Sequence, residues 1–283
     1  LPIRIAGGHL YTTVKLNGVE LRMIIDTGAE WTTVSKAAAT RMGLSFRRAG
    51  DLYGVGGYTA LYGFQAKTFE IGHLHGHALP LAVSDISFDD GEEQADGLLG
   101  ADYLSGYDMD LDISGKIGLF KVLGQCSAPV SSLPEPVYQA GFMKQEHPDD
   151  ISPRVAVQIG GHHLTAIIDT GAPRSAIFRN AAYWIGLDAD ALATHPDGTT
   201  TGVGPRTVRV LRRVTPPITI GEITIANLPI DIIDQRLRDT GVDMLLGMDF
   251  FAHVHGWLSF SSHTLLMQYP PLPSPPRPGG DST

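Results

Sequence analysis

Cysteine occurs once in 283 residues, at Cys126, so no internal disulfide can form, and no spaced Cys/His set exists to hold a structural zinc. Basic residues are also scarce. Lys plus Arg number 21 against 30 Asp plus Glu, a formal charge of -9, which argues against a broad nucleic-acid footprint. No stretch approaches the roughly 20 apolar residues of a membrane span. The opening LPIRIAGGHL has neither the basic start nor the apolar core of a signal peptide, so any leader is expected to have been removed already. Cysteine avoidance suits either side of a membrane. The expectation taken here is a periplasmic or secreted protein, with the cytoplasm as the alternative.

What the chain has in quantity is glycine, 33 residues, and proline, 19, separating short stretches rich in Val, Ile, Thr and aromatics. That composition predicts a mostly β protein. The chain also repeats itself. LRMIIDTGA at 21–29 returns as LTAIIDTGA at 164–172, and ADGLLGADYL at 95–104 returns as VDMLLGMDFF at 242–251. Between these lie GVGG at 54–57 and GVGP at 202–205, and each copy closes with a strand, IGLF at 117–120 and TLLM at 264–267. Four landmarks in one order, twice, define two halves, 1–125 and 153–269, joined by a Pro-containing linker, 126–152, with a helical turn expected near 138–144. Six prolines crowd 270–278, so 270–283 reads as a Pro-rich flexible tail and spacer. Each half is expected to open with a hairpin, turning at Asn17–Gly18 and Gly160–Gly161. Short helices are expected at 35–42 and 176–185, and again at 102–107 and 249–255. The closing hairpins should turn at 114–115 and 261–262.

In IIDTGA, two β residues carry the chain inward, Asp presents a carboxylate, Thr a hydroxyl, and Gly a sharp turn that aims backbone N–H groups at the carboxylate. One copy could serve as a metal ligand or a cap. Two related copies would set Asp26 and Asp169 face to face, where both cannot ionise cheaply and one proton is shared. The ionised partner can then deprotonate a water while the protonated one donates to a carbonyl oxygen, which is amide hydrolysis.

The repeated IIDTGA, the GVGG and GVGP turns and the LLGADYL and LLGMDFF segments resemble the retropepsin-like aspartic proteases, the group of retroviral proteases and their cellular and bacterial relatives. The resemblance covers about 9–123 and 153–268. Those proteases are normally dimers of one such unit, whereas two units in one chain are the plan of the longer pepsin-like enzymes, so a monomeric fused pseudodimer is implied. The implied fold is all-β: two pseudo-twofold-related barrel domains with a cleft between them. Asp26 and Asp169 are the implied catalytic pair, Thr27 and Thr170 the threonines that cross-bond beneath it, and Gly28, Ala29, Gly171 and Ala172 complete the loops. Tyr53, Gly54, Val55, Gly56, Gly57 and Tyr58 would form a flap over the substrate, and Gly202, Val203 and Gly204, ahead of Pro205, a second one. Leu98, Leu99 and Gly100, with Leu245, Leu246 and Gly247, would brace the two Asp loops. Ala29 and Ala172 stand where pepsin-like enzymes carry hydroxyl residues, which should raise the pair's ionisation toward a mildly acidic optimum. Pro205 removes a donor from the second flap, so the first is expected to do the clamping.

The function expected is an aspartic endopeptidase cutting extended, apolar-rich polypeptide, with no cofactor and no metal. The alternative is a non-catalytic peptide- or protein-binding module of the same fold. A β-barrel carrier for a small apolar ligand would explain the strands but not the duplicated DTGA. His73, His75 and His77 in GHLHGH alternate as metal ligands could, yet the equivalent GEITIAN at 221–227 has no histidine, so a solvated hairpin is expected. His253 and His255 are expected as helix-end or surface groups. The basic run RTVRVLRR at 206–213 is expected to be a solvated strand or a substrate subsite. Trp31, Tyr53, Val55, Tyr58, Ile233 and Leu237 are the candidate pocket residues.

Overall fold

The structure, a computed structural model, describes residues 3–86, 88–89, 94–112, 116–120, 136–144, 150–235 and 241–269. Cys126, the turn at 114–115, Leu237 and the tail 270–283 lie outside these, as does most of the linker. The first half opens with β1 (Ile3–Ala6), β2 (His9–Leu16) and β3 (Val19–Ile25), followed by β4 (Thr33–Ser35) and α1 (Lys36–Arg41). Two long strands, β5 (Arg47–Gly54) and β6 (Gly57–Ile71), lead to β7 (Leu74–Ser84), the small pair β8 (Phe88–Asp89) and β9 (Gln94–Ala95), then β10 (Gly97–Leu99) and α2 (Ala101–Leu104). β11 (Asp108–Asp112), β12 (Lys116–Phe120) and β13 (Val137–Gly141) precede the second half. There β14 (Arg154–Ile159) and β15 (His162–Ile168) repeat the opening hairpin. They are followed by β16 (Ala176–Phe178), α3 (Arg179–Trp184), α4 (Ala191–Thr194) and β17 (Gly198–Thr200). The described residues end with β18 (Val208–Val214), β19 (Ile218–Ile220), β20 (Ile223–Ile225), β21 (Pro229–Ile233), β22 (Met244–Leu246), α5 (Met248–Phe251), β23 (His255–Ser259) and β24 (Thr264–Gln268).

Local chemistry accounts for the turns. Asn17 and Gly18 have φ of 51° and 82°, and Gly160 and Gly161 have 57° and 84°, the left-handed pairs that a two-residue hairpin turn demands. Ser35 caps α1 by accepting the Ala38 N–H at 3.1 Å. The second half departs from the sequence expectation here. Residues 176–178 are strand, and only Arg179–Trp184 is helical, because β16 is needed between β21 and β22.

The all-β, two-barrel expectation is overturned. Among the described residues, five helices of four to six residues interrupt the strands, and no sheet forms a barrel. One sheet has eight strands in the order β1-β2-β3-β10-β4-β7-β6-β5, another nine in the order β17-β18-β21-β16-β22-β15-β14-β19-β20. In the first, β2 also meets β6, but only through Lys15↔Glu70 and Leu16↔Phe69. Barrel closure needs an even stagger around strands of matched length. Here the circuit runs through three-residue strands and a 15-residue one, and folds over instead of wrapping. In the second half Pro216 and Pro217 split the equivalent long strand into β18 and β19, and no closing pair forms among the described residues.

A third sheet, β12-β11-β23-β24-β13, joins the halves. β11 pairs antiparallel with β23, and β13, from the region read as linker with a helical turn, pairs along all of β24. Asp108, fully buried at the start of β11, accepts hydrogen bonds from Ser259 Oγ at 2.8 Å and from the Ser261 N–H at 3.2 Å, so a carboxylate of one half is satisfied by the turn of the other. The main apolar core runs through both halves, from Leu10, Val14 and Phe69 to Ile168, Phe250 and Met267. Each such side chain contributes about 1.5–3 kcal/mol on burial. The core therefore holds the two Asp-bearing loops against one another as a single body of protein.

Candidate active site

β3 and β15 both end in buried isoleucines, Ile25 and Ile168, and deliver Asp26 and Asp169 to the floor of the cleft between the halves. Each carboxylate is held by its own loop. The Gly28 and Ala29 N–H groups donate to Asp26 Oδ1, both at 2.9 Å, and the Gly171 and Ala172 N–H groups to Asp169 Oδ1 at 2.9 and 3.0 Å. Beneath them the threonines exchange hydrogen bonds. Thr27 Oγ1 donates to the Ile168 carbonyl at 2.6 Å and accepts the Thr170 N–H at 3.1 Å, while Thr170 Oγ1 donates to the Ile25 carbonyl at 2.9 Å and accepts the Thr27 N–H at 3.1 Å. Both threonines are fully buried. Glycine is required above them, because a Cβ on Gly28 would stand 2.5 Å from Asp169 Cγ, and one on Gly171 would collide with Asp26.

The leucine triplets lie alongside. Leu98 and Leu99 pair in parallel with Ile24 and Ile25, and Leu245 and Leu246 with Ile167 and Ile168. The Leu99 and Leu246 carbonyls each accept the N–H of the neighbouring Asp, both at 2.9 Å. The next step was missed in the sequence. Asp102 Oδ1 accepts from Thr32 N and Oγ1 at 2.7 and 2.6 Å, and Thr32 Oγ1 in turn accepts the Gly100 N–H. Asp249, Ser175 and Gly247 repeat the arrangement at 2.8, 2.6 and 3.0 Å. The signal was present: both hydroxyl residues follow their loop Asp by six positions, and both carboxylates follow the LLG glycine by two.

The cleft encloses about 1260 Å³, room for several residues of an extended chain. It is roofed by two turns that touch. The β5–β6 hairpin brings Tyr53, Gly54 and Val55 to the lining, and 202–203 reaches it from the other half. At the tips the Gly56 N–H donates to the Val203 carbonyl at 2.8 Å, and the Arg206 N–H to the Gly56 carbonyl at 3.0 Å. Val55 packs on the second half's cluster around Ile167 and Leu245, and Val203 on the first half's around Ile24 and Leu98, so each tip crosses over. Gln235 holds the first hairpin down, donating to the Gly54 carbonyl at 3.0 Å and to Tyr53 Oη at 3.1 Å.

Of the pocket candidates, Trp31, Tyr53, Val55 and Ile233 line the cleft. Tyr58 does not: it is 68% exposed and stacks on Tyr53 from outside, with ring centroids 4.5 Å apart. Gly57 takes a φ of 97° to make the turn. Three arginines of the basic run are paired with acids. Arg212 makes a two-pronged contact with Asp231 at 2.8 and 3.0 Å, Arg209 reaches Asp234, and Arg213 reaches Asp197. His73, His75 and His77 are exposed, and no three metal-capable side chains converge among the described residues. His253 Nδ1 contacts the Asp249 carbonyl at 2.9 Å, a helix-end role, whereas His255 pairs with Asp110 across the halves at 2.5 Å.

Burial lifts both loop carboxylates above the ordinary range, and the two interact directly. Asp26 rises further through repulsion by Asp169, while the hydrogen bond from Asp26 works in the opposite direction on Asp169. Burial also lifts Asp102 and Asp249, against the hydrogen bonds from Thr32 and Ser175.

Paired Asp-Thr-Gly loops that cross-bond beneath a covered cleft define the aspartic class of peptide hydrolase. The sequence model of the aspartyl protease family matches residues 12–103 and again 155–250, and the chain belongs to that family. It is an aspartic-type endopeptidase acting on peptide or protein substrates, built from two family units in one chain. Comparison with curated proteins gives no match. No helix among the described residues is long and apolar enough to cross a membrane.

Proposed function

We propose that Asp26 and Asp169 form the catalytic pair and share one proton. The supporting observation is the direct contact of two buried carboxylates that are each fixed by two backbone donors and both raised above their ordinary range. The ionised carboxylate of the pair takes a proton from a water whose oxygen attacks the scissile carbonyl carbon, while the protonated one donates to the carbonyl oxygen. The resulting diol collapses as the amine nitrogen receives a proton, the C–N bond breaks, and the pair returns to its single-proton state. Thr27, Thr170 and the leucine–glycine braces are positioning residues. The turns at 53–58 and 202–204 cover an extended substrate, whose apolar side chains meet Ile24, Leu98, Ile167 and Leu245. One chain supplies both carboxylates, so activity belongs to the monomer. A periplasmic or secreted location is part of the same proposal.

The test is kcat/KM against pH on an unstructured, apolar-rich protein. A bell-shaped profile peaking at roughly pH 4–6 is expected, its limbs belonging to the pair and not to either residue. Asp26→Asn and Asp169→Asn should each abolish cleavage. Appreciable hydrolysis by either folded variant would remove the pair from the mechanism. Stability gives an independent readout. A carboxylate whose folded pKa is raised adds stability at low pH that is lost as pH rises through that value. Asp26→Asn should therefore raise Tm at neutral pH, with the gain shrinking toward acid.

A further inference from the structure

Positions 31 and 174 share one backbone setting in the two halves. Each immediately precedes the hydroxyl residue held by Asp102 or Asp249, and each is pressed from behind by a glycine. A Cβ on Gly100 would lie 2.5 Å from the Trp31 carbonyl carbon, and one on Gly247 would lie 2.5 Å from that of Arg174. Both residues are exposed and line the cleft. Their chemistry is opposite: a 42% exposed indole on one side of the Asp pair and a guanidinium on the other.

Arg174 has no ion-pair partner among the described residues, whereas Arg212 and Arg213 on the same wall are taken by Asp231 and Asp197. The wall that closes its end adds no competing acid. Pro173, beside it, packs on Gly8, and residues 3–16 contain neither Asp nor Glu. The opposite end is bounded by Ser152, whose hydroxyl donates to the Gly28 carbonyl at 3.1 Å, and by the Asp150–Arg154 ion pair. A guanidinium stays charged at every working pH and engages a carboxylate through two parallel N–H bonds. The net charge of -9 is screened beyond about 8–10 Å, so it does not cancel this local preference.

We propose that Arg174 is a specificity determinant that accepts an acidic side chain on one side of the scissile bond, while the Trp31 side accepts an apolar or aromatic one. This rests on the hydrolytic reading above. The preferred substrate is then an extended chain with an apolar residue and an Asp or Glu flanking the cut on opposite sides.

The experiment uses quenched fluorescent peptides in which a single Glu, Gln or Lys is walked along the positions around one cleavable apolar bond. Wild type should prefer Glu over Gln by about tenfold in kcat/KM, as expected of a charged hydrogen bond, at a position on one side only. Arg174→Gln should collapse that ratio toward one, and Arg174→Glu should turn it in favour of Lys, with Tm reporting that both variants are folded. Binding of the same peptides to Asp26→Asn, followed by fluorescence anisotropy, is the second readout. Cleavage that ignores charge, or a Glu preference that survives Arg174→Gln, overturns the assignment. Charge-dependent binding lost in an Asp26→Asn/Arg174→Gln double variant, with no cleavage by wild type, would uphold the Arg174 contact and overturn the hydrolytic reading.

Discussion

The first half carries its cleft-covering hairpin on one continuous strand, β6, with 15 residues, while the second breaks the same stretch into β18 and β19 at Pro216–Pro217. Its flanking strand shrinks likewise, from eight residues in β5 to three in β17. At the Asp loops no such divergence exists, and the corresponding hydrogen bonds agree within about 0.3 Å. The difference separates two demands. The proposed chemistry needs both carboxylates in equivalent frames, because each loop's threonine bonds the other loop's backbone and each glycine leaves room for the other's Asp. Recognition acts on a peptide that has a direction and unlike neighbours on either side of the cut, so the walls and roof are free to differ.

The largest effect should come from the loop glycines. Gly28→Ala and Gly171→Ala each drive a methyl group into the opposite carboxylate, and misplacement of about 1 Å lowers kcat/KM by roughly a hundredfold. Both variants should suffer alike. If one retained near-wild-type turnover, the equivalence of the frames would be broken.

The threonines come next. Thr27→Val and Thr170→Val leave a buried carbonyl and a buried N–H without their partner, and denaturant unfolding should register about 1–3 kcal/mol for each. Equal losses sharpen the comparison, and a loss confined to one site would break it.

The roof tests the asymmetric part. The sequence reading gave the clamping to the first turn, but the tips hydrogen-bond each other, and Gly204 has a φ of 117° where Gly56 has no such constraint. Left-handed backbone at a residue with a side chain costs about 1–2 kcal/mol, so Gly204→Ala should lower kcat/KM roughly tenfold. Gly56→Ala should also lower kcat/KM, because a Cβ there would stand 2.7 Å from the Gly204 carbonyl oxygen. A harmless Gly204→Ala would restore the view of the first turn as sole clamp.

The smallest effect lies at the joint. The hydrogen bond to Asp110 lifts the His255 imidazole above its ordinary value, against partial burial. Its contribution is complete below about pH 6.5, the unperturbed histidine value, and disappears as pH rises through the lifted one. Solvent screening limits it to about 0.5 kcal/mol. His255→Asn should reduce stability at pH 5.5 and leave it unchanged at pH 9 by thermal unfolding. The reverse order would place the pair's role elsewhere.

Much of this was legible because it is written twice. The DTGA loops, the LLG braces and the hairpin turns at 17–18 and 160–161 depend on residues within a few positions of one another, and repetition lifts such short patterns above chance. The Thr32–Asp102 and Ser175–Asp249 contacts were written twice as well, but across gaps of 70 and 74 residues that no local period reveals. Strand β13 was obscured by its Pro-rich surroundings, since its partner β24 lies more than a hundred residues ahead. Barrel closure failed as an expectation for a related reason. Whether a sheet closes depends on matched strand lengths and stagger, and the three-residue strands β4 and β10 leave no trace in alternation.

The joining sheet also sets an order of events during synthesis. All eight strands of the first sheet lie within residues 3–99, so that half can pair its own backbone soon after it emerges. The sheet that unites the halves waits for β23 and β24, at 255–268, to find β11 and β13 across separations that make pairing slow. Until those strands arrive, a growing chain can hold Asp26 in its loop with no Asp169 opposite it, and under the proposed mechanism a ribosome-bound fragment carries half of a protease that cannot yet cut.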